Sequence, residues 1–529
     1  MNRSNSEVRL TTRGLAAQLP RNLAANIAYF LVNIVIGIAL VPYFVSTLGV
    51  AAYGIIPLAT SITGYVGIVV QSLNTAVSRF LAVDLQRGDF TAANRTFNTA
   101  FFGLTAVILL MVPISLVVAF NVPSIFNVPA GQESGAIFLF LGVFATFLIR
   151  SWSGNFTVQL FAFNRLDLQN IVNLVNLVVQ TGLIVILFTI LGPDLALIGG
   201  AYLIGAIVAS MVSIVFARRI CPYLQISIHS FDRARIRDLG GMGWWVMVDQ
   251  MGTLFLFQID LIVANMLFGE TVSGGYAIAL QWNALLRSIA GMLAGVLVPT
   301  ILSCYALKQI ETLRNISRSS VKFMGLAMAL PVGLICGFAP QLLDIWVGVE
   351  YTDLAPLMVL LTAHLTVNMS VLPLFSINTA HNRVRVPGMV TIVLGIINLI
   401  LAITLPTVTG WGYYGIAVAG VVILTFRHVL FVPWYAAGIL KYRMSTYIKA
   451  MAPGALATLV IGGIAAGVFM IATPPILPTI IIAGLTISST YIMIIWRFGV
   501  DQFERVLFES FIPKRLLRVF NGELFRKNN

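Results

Sequence analysis

The chain has 529 residues, of which 59% are hydrophobic and only 10% charged, and its mean hydropathy is +0.94. A soluble domain is about a quarter charged, so this composition excludes a water-soluble globular fold and describes a chain built for lipid. Cys221, Cys304 and Cys336 stand alone with no CxxC pair, so neither a disulfide framework nor a zinc site is indicated.

A membrane span needs about 20 apolar residues. In chain order such segments fall near 23–47, 51–78, 96–120, 134–161, 168–191, 195–217 and 240–268. Seven more follow near 273–302, 319–343, 354–379, 388–408, 413–438, 447–472 and 476–496. The expected fold is therefore an all-α polytopic membrane protein of about 14 transmembrane helices. The first segment is too long for a signal-peptide core and is followed at once by another span, so it is read as retained. The turns TLGVAAYG, FNVPSIFNVPAGQE, LGPD, FGETVSGG, LPTVTGWGYYG and ATPPILP contain no Lys or Arg. Positive residues favour the cytoplasmic side, which predicts a cell (plasma or inner) membrane protein with both termini in the cytoplasm. The net charge of +13 is then a topology signal and gives no support to a nucleic-acid partner.

The longest inner connection, ARRICPYLQISIHSFDRARIRD, carries five arginines and reads as a linker between two halves. Sliding the chain by 223 residues sets Asn26 on Asp249, Tyr53 on Tyr276, Arg95 on Arg318 and Arg218 on Lys441. This predicts two pseudo-symmetric lobes of six helices, one of the transporter architectures. The expected domains are an N-terminal lobe at 1–217, a basic linker at 218–239, a C-terminal lobe at 240–440, an extra helix pair at 441–497 and a tail at 498–529. Within the tail, DQFERVLFESFIPKRLLRVF mixes apolar and basic residues at helical spacing, suited to the inner leaflet surface.

Ionisable residues inside spans are costly and mark pathways or partners. At about 100° per residue, Asp249 and Asp260 share one face of span seven with Thr253, about 16 Å apart along the axis. Span eight puts Tyr276, Asn283 and Arg287 on one stripe, and Arg150 sits halfway through span four. Asn22, Asn26 and Asn33 share a face of span one; Asn173, Asn176 and Gln180 recur in span five; Gln71 and Asn74 add polarity to span two. Such amides either glue helices together or line a wet cavity. Span twelve contains FRHVLF, with Arg427 and His428 side by side. If its core is 418–438, Arg427 lies at the midplane; if 413–433, it can snorkel to the inner edge. The cavity candidates are thus Arg150, Arg287, Arg427, Asn26, Asn283 and Tyr276, with Asp249 and Asp260 as candidates for ion coupling. Arginine forks suit phosphate oxygens and amides suit sugar hydroxyls.

Two stretches carry a family resemblance. STLGVAAYGIIPLATSITGYVGIVVQSLNTAVSRFLAVDLQRGDFTAANRTFNTAF and QIDLIVANMLFGETVSGGYAIALQWNALLRSIAGMLAGVLVPTI resemble polysaccharide exporters of the multidrug/oligosaccharidyl-lipid/polysaccharide superfamily. The shared pattern is LG…YGI at the first outer turn, Arg79 ending span two, the inner RGD…AN, and an Asp followed by FG…GGYAIA in the second half. The resemblance implies an O-antigen-type flippase carrying oligosaccharide on a polyprenyl phosphate or pyrophosphate from inner to outer leaflet. It implies two lobes around a central cavity and alternating access, with Arg150 and Arg287 as cavity cations and Arg427 a weaker match. Lipid II flippases of the superfamily use arginines in the first two helices and the eighth, whereas span one here offers asparagines. Multidrug members usually have twelve helices and often an acid in the first, where this chain has Asn26.

The runner-up reading is a cation-coupled exporter of amphiphiles, with Asp249 and Asp260 binding the ion. A transport-dead scaffold for glycan assembly is a further alternative. An enzyme is not expected, because His229, His364, His381 and His428 form no metal spacing. No cofactor is implied. The expected partners are lipid-linked oligosaccharide, membrane lipids, and glycan polymerase or glycosyltransferases around a monomeric carrier.

Overall fold

The computed structural model describes residues 12–86, 89–222, 224–381, 383–471 and 475–499. Among these there is no strand. Helices α1 (Thr12–Leu48), α2 (Val50–Gln86), α3 (Phe90–Phe120), a short α4 (Val122–Ile125), α5 (Glu133–Ala162), α6 (Leu166–Leu191) and α7 (Leu195–Ile220) carry the first six crossings. The seventh is broken: α8 (Arg233–Phe257) ends at a turn on Gln258, and α9 (Ile259–Ala306) resumes directly. At about 1.5 Å per residue α9 is too long for one crossing. Gly269, at φ 86° and ψ 178°, divides it, a left-handed position that glycine takes without strain.

Then follow α10 (Ile310–Gly337), α11 (Ala339–Val347), the segmented crossing α12 (Ala355–Ala363), α13 (Leu365–Ser370) and α14 (Leu372–Ala380), and α15 (Arg385–Thr409). The twelfth crossing is α16 (Tyr414–Thr425), a π-helical turn at Phe426–Phe431 and α17 (Val432–Leu440). α18 (Met444–Ile471) and α19 (Ile476–Ile494) complete the series. Twelve helical segments among the described residues are long and apolar enough to span. Adding α2, whose apolar part is Val50–Tyr65, and the broken α8–α9 crossing gives the fourteen expected from hydropathy. The basic tail at 501–520 lies outside the described residues.

In lipid, helices gain little from burying one another's apolar side chains, so small residues that permit close approach dominate the seams. A methyl at Gly142 of α5 would collide with the Gly199 backbone of α7, and one at Gly252 of α8 would meet Ile392 N of α15 at 2.5 Å. The chain forms two compact units, Met1–Leu285 with Arg383–Arg427, and Leu286–Asn382 with His428–Asn529. In the first, α5 packs on α7, α2 on α5 and α8, and α15 on α8. In the second, α10 packs along α18, and Tyr491 of α19 donates to Leu326 O at 2.8 Å. These units cut the chain at other points than the six-helix lobes expected from the repeat.

Candidate functional site

The first unit contains a polar hollow built from helical stripes. On α2, Thr60, Gly64, Gly67, Asn74 and Ser78 recur at spacings of three, four or seven, and so share one face. On α5 the matching stripe is Phe147, Arg150, Gly154, Thr157 and Phe161. Gly67, Asn74 and Ser78 of the first stripe, the whole of the second, and Gln169 of α6 line a cavity of about 810 Å³. A second hollow of about 240 Å³ is lined by Thr60, Thr63, Gly64, Gln250, Leu254 and Gln258. It shares Gly67 and Phe147 with the first, so the two adjoin. The small residues of α2 give the hollow its depth: a methyl on Gly64 would lie 3.2 Å from Gln258 Nε2, and one on Gly154 would lie 3.0 Å from Asn74 Nδ2.

Arg150 is the cation of this hollow. Its Nη2 donates to Asn173 Oδ1 of α6 at 2.7 Å. A guanidinium has further N–H donors, so one bond to an amide fixes its position and leaves donors for a ligand. Four carboxamides also line the wall, those of Asn74, Gln169, Gln250 and Gln258. None of them hydrogen-bonds another described side chain or backbone group. Each carries both donors and an acceptor. The wall is thus one cation with open amides, chemistry that fits a hydroxylated anion.

Other polar residues of the sequence are committed to the protein. Asn22 of α1 is buried, donates to Asn164 O at 2.8 Å and accepts from Asp167 N at 3.0 Å, tying α1 to the start of α6. Asn176 donates to Gln180 Oε1 at 3.0 Å within α6. Asn26 and Asn33 are exposed on α1.

Asp260 stands in the first turn of α9, directly after the break in crossing seven, and is buried. Tyr276, fully buried, donates its hydroxyl to Asp260 Oδ2 at 3.4 Å. Gly420 of α16 faces the same oxygen, at 3.4 Å from a methyl built there. The break frees the carbonyl of Phe255, and Asn398 of α15 donates to it at 2.9 Å. Asn283 is buried one turn before Arg287, which is half-buried on α9 in the second unit. The side chains of Asp249, Gln71 and Arg79 lie outside the described residues.

Arg427 is 5% exposed, and its Nη2 donates to Thr391 Oγ1 of α15 at 2.8 Å. It sits in the π-helical turn over FRHVLF; such single turns of wider helix occur mostly inside α-helices and often at functional positions. His428 is 1% exposed and stands edge-on to Phe375, with ring centroids 6.1 Å apart.

The structure therefore brings Arg150 together with Asn173 and Asn74, and Asp260 together with Tyr276. Sequence reasoning missed Thr60, Thr63, Ser78, Gln169, Gln250, Gln258 and Thr391. The signal available for them was spacing: Gln250, Leu254 and Gln258 recur at i+4, as Thr60 and Gly64 do.

A family model described as polysaccharide biosynthesis protein matches residues 19–304, more than half of the chain. The chain is 29% identical over 486 residues to a Bacillus subtilis (strain 168) protein described as uncharacterized membrane protein EpsK, covering 92% of this chain and 96% of that one. Among solved structures, lipid II flippase MurJ in an inward closed conformation superposes with a TM-score of 0.63 at 15% identity, over 90% of this chain and 98% of that one. An inward-facing multidrug resistance MATE family transporter of the MOP superfamily gives 0.60 at 17% identity, over 82% and 95%. At these identities the two structures speak to fold alone.

Proposed function

We propose, because this chain belongs to the polysaccharide biosynthesis protein family, that it carries lipid-linked oligosaccharide from the inner to the outer leaflet for the building of cell-surface polysaccharide. The observation that carries this reading is the pair of adjoining hollows holding Arg150 and the open carboxamides of Asn74, Gln169, Gln250 and Gln258. Open amides in a membrane protein would be a cost if lipid faced them. They become an asset when the occupant brings its own donors and acceptors. A polyprenyl phosphate or pyrophosphate offers oxygens to Arg150, and the attached sugars offer hydroxyls to the amides.

In this proposal the carrier works by alternating access between the lobes 1–217 and 240–440, with both termini cytoplasmic and the basic loops on the inner face. The protein binds and exposes its cargo, and no bond of the cargo is made or broken. Arg287, Asn26 and Asn283 are further proposed contacts for the cargo, Arg427 is assigned to the fold, and glycosyltransferases or a glycan polymerase would supply and consume the cargo beside a monomeric carrier. Asp260 is the candidate for coupling: a buried carboxylate next to the C-terminal end of α8, at a break in a spanning helix, suits a small cation. That same feature favours the second reading, a cation-coupled exporter of amphiphiles.

Cells lacking the chain separate the two. The flippase reading expects lipid-linked oligosaccharide to accumulate at the inner face and surface glycan to vanish, with restoration by the wild-type chain. Normal surface glycan together with new sensitivity to amphiphilic drugs would overturn it in favour of the exporter.

A further inference from the structure

In the first unit, near the loops without Lys or Arg, a backbone seam and an asparagine pair join α2 and the loop after α4 to α9. A methyl on Gly54 of α2 would lie 2.8 Å from Gly274 Cα of α9 and 3.2 Å from Ser273 Oγ, so the two helices touch backbone to backbone. Beside this seam the loop after α4 is held at both sides. Phe126, buried, stacks on Phe140 of α5 with ring centroids 6.1 Å apart. The next residue, Asn127, is exposed and pairs with the fully buried Asn265 of α9.

The pairing is reciprocal. Asn265 Oδ1 accepts from Asn127 N at 2.9 Å, and Asn265 Nδ2 donates to Asn127 O at 3.0 Å. Asn127 Nδ2 donates back to Asn265 O at 2.6 Å. Asn265 Nδ2 also reaches Ser273 Oγ at 3.2 Å, whose hydroxyl is itself anchored on Glu270 O at 3.0 Å. The Asn265 carboxamide thus acts as a peptide group, meeting both the N–H and the C=O of Asn127. No apolar residue makes this pairing, and a carboxylate lacks the donor half.

The two attachments of the loop differ in kind. The Phe126–Phe140 stack is apolar and gains nothing from opening to water. The Asn127–Asn265 pairing is polar, and water can take over each of its hydrogen bonds, so it can part at low net cost. We infer that the Asn127–Asn265 pair is a reversible latch, and that it must release for the hollow to open toward the basic-poor face. This rests on the proposed lobes, in which α5 and its loop belong to one and α9 to the other. Its partner in closure is the Gly54–Gly274 seam, which supplies contact without polar bonds.

The test uses the full chain in cells, with Cys221, Cys304 and Cys336 replaced by Ser and Thr63→Cys placed in the hollow. A membrane-impermeant maleimide added outside reports opening toward that face. Asn127→Ala changes an exposed loop residue and removes only the Nδ2 bond, since the other two use its backbone. It should raise the labelling rate by about twofold to fivefold, the population shift of one hydrogen bond. Asn265→Leu removes the whole carboxamide and should raise labelling further, by about tenfold or more. Labelling of both variants at the parent rate overturns the latch. Raised labelling in cells whose parent chain exports no glycan would leave the latch standing and sink the flippase reading instead.

Discussion

Arg150 and Arg427 present one puzzle to the sequence and receive two answers from the fold. Each is an arginine in the middle of an apolar helix, and each donates one Nη2 hydrogen bond to a neighbouring helix, to Asn173 at 2.7 Å and to Thr391 at 2.8 Å. Their surroundings differ. Arg150 borders a hollow of about 810 Å³ with open amides around it. Arg427 is 5% exposed, and Thr391 beside it is wholly buried and donates its own hydroxyl hydrogen to Pro387 O at 2.7 Å. A charge that borders open space can serve a ligand. A charge enclosed by protein is held mainly for the fold, because breaking one side of a buried polar pair strands the other. The contrast extends to the amides: those of Asn22 and Asn398 are tied to backbone, whereas those of Gln250 and Gln258 bond no described group.

The largest effect should come at Arg150. Arg150→Ala removes charge-assisted bonds to phosphate, each worth about 1.5–3 kcal/mol, and should lower transport per molecule by about tenfold to a hundredfold. Its thermal midpoint in detergent should stay near wild type; a loss of less than about twofold in transport would break the comparison at its functional side. Arg427→Ala should act the other way. Removing the buried guanidinium leaves a void and an unmet acceptor at Thr391, about 1–3 kcal/mol, so the variant should show a lower thermal midpoint and membrane level. What remains folded should transport within about threefold of wild type, that is, within about 1 kcal/mol. Full stability with lost transport would move Arg427 to the cargo path.

The amides sharpen the contrast on a smaller scale. Gln250→Leu and Gln258→Leu give up no bond to a described group, so stability should hold while transport falls about threefold to tenfold each, the worth of one hydrogen bond to cargo. Asn398→Leu should do the reverse, lowering the thermal midpoint by exposing the Phe255 carbonyl to an apolar neighbour. The smallest change is Gly64→Ala. Its methyl would meet only the flexible end of Gln258, and transport should fall by about twofold, a shift of under 1 kcal/mol. No change would show that Gln258 reads cargo from another rotamer.

Much of the fold was legible because the hydrocarbon requirement writes itself into the chain as apolar runs of spanning length. All fourteen predicted spans fall on helices. The Gly269 division of α9 was foreshadowed by FGETVSGG, a turn expected from composition. The break at Gln258 was not, since a run of QMGTLFLFQIDLIVAN reads as one helix whether or not a carbonyl is handed to Asn398. The site was legible in part. Arg150 and Asn173 stand out as polar residues in apolar helices, but Thr60, Ser78 and Gln169 are ordinary in such helices and declare themselves only when a wall forms around them. The register of Arg427 was undecidable from a span of excess length. The π-helical turn at Phe426–Phe431 adds a residue to one turn, which an unbroken apolar stretch does not record.

The most direct measurement of the central claim is made in proteoliposomes holding the purified chain and a polyprenyl-pyrophosphate-linked oligosaccharide in the inner leaflet. The appearance of sugar at the outer surface is followed with a glycan-cleaving enzyme added outside. The wild-type chain should expose the sugar far faster than protein-free vesicles, and Arg150→Ala should not. Exposure at the protein-free rate by folded wild-type chain would contradict the account.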